Sequence, residues 1–178
     1  RIGQMGMGYE IYDQLEGKID AWGCAVGSGA TLLGVAMAFE EKGIKPLTFG
    51  VAPFGSESFV ELEKPEAKKG EFKFTDMGRQ LVEWMGVTKW QTEKSIVEEM
   101  MDKGYPAEFF QVSEEDARNM ANILCQEEGI YCGMSSGANV FIALKIAERL
   151  QPGENVVTVI VDRRDRYLGE YPNDVFVV

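Results

Sequence analysis

Residues 19–43 read IDAWGCAVGSGATLLGVAMAFEEKG, and the order of the parts in this stretch decides the fold. Ile19 to Val26 is a short apolar run of the length of a buried strand. It enters a glycine turn at Gly27-Ser28-Gly29. From Thr31 to Lys42 the chain is apolar nearly all round, which reads as a buried helix closed by Gly43. Leu47 to Ala52 supplies a second strand, stopped by Pro53. Strand, glycine turn, helix and strand form one βαβ unit.

Working outward, the same alternation returns. Gly55 to Gly78 is polar and lysine-rich in its middle, a surface excursion, and Arg79 to Lys103 reads as a helix in two pieces broken around Gly86. Glu108 to Val112 is a short strand. Ser113 caps the next helix, whose first turn carries Glu114, Glu115 and Asp116, the charges its dipole favours. Gly129 ends that helix after Glu128. Ile130 to Cys132 then reads as a brief strand, Gly133 to Asn139 as a loop, and Val140 to Leu150 as a helix stopped by Pro152-Gly153. Asn155 to Val161 (NVVTVIV) is the cleanest buried strand. Strands alternating with helices at this spacing predict one α/β domain, a doubly wound, mainly parallel open sheet with helices on both faces.

Composition narrows the chemistry. The chain has 178 residues, 45% of them hydrophobic, enough for one sizeable core. A net charge of −11 argues against a nucleic-acid partner, because phosphate backbones are bound by concentrated Lys and Arg. No apolar run approaches a membrane span, and the N-terminus has no basic-then-apolar signal pattern. Cys24, Cys125 and Cys132 are odd in number and form no C-x-x-C pair, so they read as buried thiols in a reducing cytoplasm. There is no histidine, which removes Ser-His, Cys-His and His-ligated metal mechanisms. No serine is followed three residues later by a lysine, so a Ser-x-x-Lys nucleophile fails as well. Unless a partner or a further segment supplies groups, chemistry on this chain needs a bound cofactor.

Two loops could hold one. In Val26-Gly-Ser-Gly-Ala-Thr31, glycines let backbone approach a ligand, and the N–H groups and positive dipole end of the next helix face the turn. Ser28 and Thr31 add hydroxyls, so the loop reads as an anion cradle. A dinucleotide fingerprint fails because Leu32 stands at its third glycine and Ala52-Pro53 where its ribose carboxylate belongs. A P-loop fails because the first lysine after the turn is Lys42. A glycine turn that merely packs helix on strand would read the same locally. Gly133-Met-Ser-Ser-Gly-Ala-Asn139 is the second loop, at the same carboxyl edge of a parallel sheet. On its own, Ser135-Ser136 reads equally well as a helix cap.

Together the loops resemble a family. GKIDAWGCAVGSGATLLGV is similar to the phosphate loop of cysteine synthases and cystathionine β-synthases, fold-type II pyridoxal-phosphate enzymes. Gly8-Tyr-Glu-Ile11 resembles their G-P-E-I, Gly133 to Asn139 their G-I-S-S-G-A-N, and Asp165-Arg-Tyr-Leu168 their E-R-Y-L. The resemblance implies that Gly27, Ser28, Gly29, Ala30 and Thr31 hold the phosphate of pyridoxal 5′-phosphate and that Ser135 faces its pyridine nitrogen. A neutral hydroxyl there leaves a mild electron sink, suited to β-elimination and replacement. The implied parent is a cytoplasmic homodimer that performs β-replacement on an O-activated serine with a sulfur nucleophile, taking a small amino-acid substrate. The family's S-x-K-D-R lysine and T-S-G-N-T loop do not occur in this chain, which begins at Arg1 and reads as the large-domain portion without its N-terminal part. Alone it should lack catalytic activity. Phe72 to Gly78 and Val161-Asp-Arg-Arg164 depart from the family's H-K-I-x-G-I-G-A-G-F and P-D-S-G, which leaves the reaction open. The alternatives are another β-eliminating relative, threonine synthase-like or dehydratase-like, and a non-catalytic module that holds a phosphorylated ligand.

Overall fold

The computed structural model of the chain describes residues 2–55, 59–62, 99–100 and 102–167. Helix α1 (Ile2–Gln14) leads into strand β1 (Ala21–Ala25), helix α2 (Ala30–Glu41) and strand β2 (Leu47–Gly55). Strands β3 (Phe59–Leu62) and β4 (Glu108–Ser113) follow, then helices α3 (Glu114–Glu128) and α4 (Met134–Ala147) and the short strand β5 (Val156–Val157). The five strands form one sheet in the order β3-β4-β2-β1-β5. β1, β2, β4 and β5 are parallel, and β3 is an antiparallel edge. The α/β sheet read from the sequence is the one that forms.

Alternating side chains on the strands build two cores. Trp22 and Cys24 of β1 pack with Leu32, Leu33, Val35 and Phe39 of α2, and α1 adds Met7 and Ile11. On the opposite face Ala21, Phe49, Val51, Phe110 and Val112 meet Ala117 of α3 and Ala138, Ile142 and Ile146 of α4. Trp22 is 0% exposed, and its indole edge meets Phe39 with ring centroids 6.2 Å apart. Helices therefore cover both faces, as the sequence pattern requires.

Several boundaries differ from the expectation. β2 does not stop at Pro53 but runs to Gly55, because its pairing with β4 slips between Ala52 and Gly55, and a bulge tolerates the missing N–H. Within the stretch read as a surface excursion, Phe59–Leu62 pairs with β4. The rest of that stretch and most of the helix expected over Arg79 to Lys103 lie outside the described residues. Ile130 to Cys132 is not a strand of the sheet: Cys132 makes one antiparallel bridge, to Arg163. Asn155 to Val161 is not a fully buried strand. It is the sheet edge, paired with β1 over two residues, and Ile160 and Val161 are 46% and 51% exposed. Helix α1 has no counterpart in the sequence reading, since Gly3, Gly6 and Gly8 weaken its helical signal.

The cap at Ser113 forms as read. Its hydroxyl accepts from Asp116 N–H at 3.0 Å and donates to the Asp116 carboxylate at 2.8 Å. Helices α3 and α4 approach closely at Gly137. A Cβ there would lie 2.0 Å from the Ala117 carbonyl oxygen and 2.9 Å from Ala121 N, both backbone atoms that no rotamer change can move.

Two outcomes follow from this packing. Gly137→Ala forces α3 and α4 apart and should cost about 3 kcal/mol, read as a lower urea midpoint at unchanged m. The second concerns pH. Burial pushes the Cys24 thiol from 9.0 up to about 12. The folded state keeps it neutral while the unfolded thiol ionises, so this stability is present below pH 9 and drains away toward pH 12. By pH 10.5 the loss from this thiol reaches roughly 2 kcal/mol, and Cys24→Ala should show a shallower decline in urea titrations between pH 8 and 10.5.

Candidate functional site

All four parallel strands end at one rim of the sheet. β2 lies on one side of β1 and β5 on the other, so the chain reverses its direction of winding around β1. In open α/β sheets this is where strand ends part and ligands enter. Both α2 and α4 start at this rim.

Residues 26–29 form the turn from β1 into α2. Gly29 is the N-cap with φ 79° and ψ −6°, a left-handed conformation that L side chains resist. Among the described residues no side chain caps α2. Its first N–H groups have no carbonyl one turn earlier to accept them, and the Ser28 hydroxyl reaches Ala30 N–H at a long 3.5 Å. Ser28 is exposed, while Gly27, Ala30 and Thr31 are half-buried. Gly27 is unusual in a different way. Its φ is not positive, and a Cβ built on it would meet nothing within 4 Å. Neither the backbone nor a neighbouring described residue demands glycine there.

The second motif is less of a loop than expected. Helix α4 starts at Met134, so Ser135 and Ser136 lie in its first turn rather than ahead of it. Gly133 is the N-cap, and no side chain caps the helix, so neither serine does. The two hydroxyls have different surroundings. Ser136 is fully buried, donates to Asp162 Oδ1 at 2.6 Å and accepts Val161 N–H at 3.0 Å. Ser135 is half-buried and makes no side-chain hydrogen bond among the described residues.

One buried amide joins the two motifs. Asn139 Oδ1 accepts Ala25 N–H at 2.7 Å, and its Nδ2 donates to the Val159 carbonyl at 2.9 Å. Ala25 precedes the first turn by two residues, and Ser135 lies one helical turn before Asn139. The two motifs are therefore tied to each other through this one side chain. Around α4 the segment after β5 is fastened by further bonds. Gly133 N–H donates to the Asp162 carbonyl, and buried Arg164 donates to the Cys132 carbonyl at 3.1 Å and to Asn122 Oδ1 at 2.6 Å. Sequence reasoning singled out neither Asn139 nor Arg164, although both stand inside the motifs it quoted.

The electrostatics suit an anion. Two helix N-termini aim their dipoles at the rim. The described lysines lie elsewhere: Lys18 just before β1, Lys45 just before β2, Lys103 before β4, and Lys42 and Lys145 at the far ends of α2 and α4. No cluster of His, Cys, Asp or Glu among the described residues could hold a metal ion. No helix among them is long and apolar enough to cross a membrane.

Comparison with known proteins agrees with this fold. Cystathionine beta-synthase of Mus musculus is 29% identical over 169 residues, 95% of this chain and 28% of that protein. The O-acetylserine dependent cystathionine beta-synthase of Bacillus subtilis is 30% identical over 164 residues, 92% of this chain and 47% of that protein. Cysteine synthase from Entamoeba histolytica superposes with a TM-score of 0.67 at 24% identity, covering 98% of this chain and 46% of that one. The Helicobacter pylori O-acetylserine dependent cystathionine beta-synthase gives 0.65 at 24% identity, covering 92% and 46%. The chain thus spans less than half the length of these relatives. The family described as pyridoxal-phosphate dependent enzyme matches residues 1–162, and the chain belongs to it.

Proposed function

We propose that this chain is the cofactor-phosphate half of a cysteine synthase-like enzyme. On this reading Gly27, Ser28, Gly29, Ala30 and Thr31 hold the phosphate of pyridoxal 5′-phosphate and Ser135 accepts the pyridine ring end. The whole protein then performs β-replacement on an O-activated serine with a sulfur nucleophile. The observation that carries the reading is Gly27, a glycine that neither its φ nor its packing against described residues requires, beside a helix start whose N-cap makes no side-chain cap bond. Space for a Cβ there is space a phosphate can use, and the N–H groups of α2 are the donors it needs. The names of the Bacillus subtilis and Helicobacter pylori relatives support the O-activated substrate.

When bound, the cofactor supplies an electron sink for carbanion chemistry. This chain's own residues bind and orient it. The α2 N-terminus and the Thr31 hydroxyl neutralise the phosphate, and Ser135 offers the ring nitrogen a neutral partner rather than a charge. Ser136, engaged by Asp162 and Val161, fixes which way Ser135 points. No described lysine stands at the rim, and the family's S-x-K-D-R setting does not occur in the sequence, so none of the described lysines is given the Schiff-base role. That same observation favours a second reading for the chain on its own, a non-catalytic holder of a phosphorylated ligand.

Two experiments separate these roles. In the protein containing this chain, Thr31→Val removes one hydrogen bond to a charged group, about 1.5–3 kcal/mol, so cofactor affinity should fall roughly tenfold to a hundredfold. Turnover at saturating cofactor should change far less. Gly27→Ala should weaken cofactor binding comparably while leaving the melting temperature unchanged. Equal cofactor affinity in both variants would remove the phosphate assignment.

The serine pair should divide cleanly. Ser136→Ala strands a part-buried N–H and a carboxylate and should cost about 1–2 kcal/mol of stability, whereas Ser135→Ala should cost under about 0.5 kcal/mol. Ser135→Asp should protonate the ring, shift the cofactor's absorption and change the partition between reactions. An unchanged spectrum in Ser135→Asp means that Ser135 does not face the ring.

A further inference from the structure

The polar amide of Asn139 is 0% exposed, and it occupies a particular hydrogen bond of the sheet. β1 and β5 pair with Ala21 beside Val156 and Trp22 beside Val157, and Ala21 N–H donates to the Asn155 carbonyl. Continuing that parallel ladder by four residues makes Ala25 N–H donate to the Val159 carbonyl. Those are the two groups that Asn139 takes instead, accepting the first at 2.7 Å and donating to the second at 2.9 Å. Two residues earlier the ladder is already failing. The Gly23 carbonyl, which Val159 N–H would otherwise meet, accepts the Thr158 hydroxyl at 2.8 Å. An amide inserted into a direct bond moves its two ends from about 2.9 Å apart to as much as about 8 Å.

We infer that Asn139 is a positioning residue that wedges β1 and β5 apart and so sets the distance between the phosphate turn and Ser135. This rests on the reading that both motifs grip one ligand. Ala25 leads directly into the turn at 27–29. Val159 leads into Val161 and Asp162, which are bonded to Ser136 next to Ser135. The single amide therefore fixes the relative position of both ends. A side chain that merely filled volume would need no donor and no acceptor. Here both are used, with every polar atom directed at one strand or the other.

An aspartate at this position gives a chemical test of the two-bond role. A protonated carboxyl has the shape of the amide, one acceptor and one donor, and restores both bonds. An ionised carboxylate accepts from Ala25 but opposes the Val159 carbonyl. Titratable groups near it include Cys24 on β1, Cys132 before α4, and Asp162 and Arg164 after β5; α3, which also packs on α4, carries Glu114, Glu115, Asp116, Arg118, Cys125, Glu127 and Glu128, present in every variant. Burial holds the Cys24 and Cys132 thiols above their ordinary range, so neither ionises between pH 5 and 8. Asp162 is present in every variant and is cancelled by the wild-type control at each pH.

The experiment measures dissociation constants of two probes on the protein containing this chain: inorganic phosphate, which engages one end, and pyridoxine 5′-phosphate, which has ring and phosphate but no aldehyde. For Asn139→Leu we expect pyridoxine phosphate to bind at least about tenfold more weakly, with phosphate unchanged within about twofold. For Asn139→Asp we expect the same loss at pH 8 and recovery toward wild type at pH 5. Parallel loss of both probes in Asn139→Leu, or a pH-independent Asn139→Asp, would overturn the inference and leave Asn139 a core residue. Unchanged binding of pyridoxine phosphate in both variants would overturn it as well. If the wild-type protein binds neither probe, the phosphate cradle itself falls and the inference falls with it.

Discussion

The architecture at the rim turns on one buried side chain, the Asn139 amide held between Ala25 N–H and the Val159 carbonyl. A sheet gains stability by pairing its backbone groups, so two parallel apolar strands would ordinarily zip to their ends. Here they do not. Ala25 N–H and the Val159 carbonyl, which zipping would have joined, are instead satisfied from α4. An opening at the switch point is thereby made compatible with a well-packed core, which is the condition for any cleft in a close-packed protein.

From that opening the other features follow in order. Helix α2 begins where β1 ends, with a left-handed Gly29 and no side-chain cap, so its N-terminal dipole and N–H groups face the gap. Helix α4 begins opposite, with one serine engaged in structure and its neighbour left available. Adjacent positions on a helix are about 100° apart, so a buried Ser136 turns Ser135 out of the core. The ligand shape proposed for this arrangement is a phosphate at one side and a ring at the other. It is also the shape of the cofactor on which the chain's family depends.

The sequence made the sheet legible because its signals were local. Apolar runs, glycine turns and the Ser113 cap each specify a few consecutive residues, and β1, α2, β4 and α3 appear where those signals lie. What was hidden depended on partners far along the chain. Pro53 reads as a stop, yet a bulge against β4 carries the strand past it. Asn155 to Val161 has the composition of a central strand, yet it lies at the edge beside β1, where two residues pair. Ser135 and Ser136 are indistinguishable as letters, and only Asp162, 26 residues beyond Ser136, tells them apart. Asn139 is the extreme case: its acceptor oxygen meets a residue 114 positions earlier, and no local pattern reports such a contact. The two glycine-rich motifs were visible as motifs, and the clamp between them was not.

On the proposed reading one ligand spans the gap between β1 and β5, phosphate on the α2 N-terminus and ring against Ser135. A structure of the protein containing this chain, loaded with pyridoxal 5′-phosphate, tests it most directly. The account predicts phosphate oxygens on the N–H groups of residues 28–31, the ring nitrogen about 3 Å from Ser135 Oγ, and both Asn139 bonds intact. A cofactor phosphate placed away from the start of α2, or a direct Ala25–Val159 bond closing the gap, would contradict it.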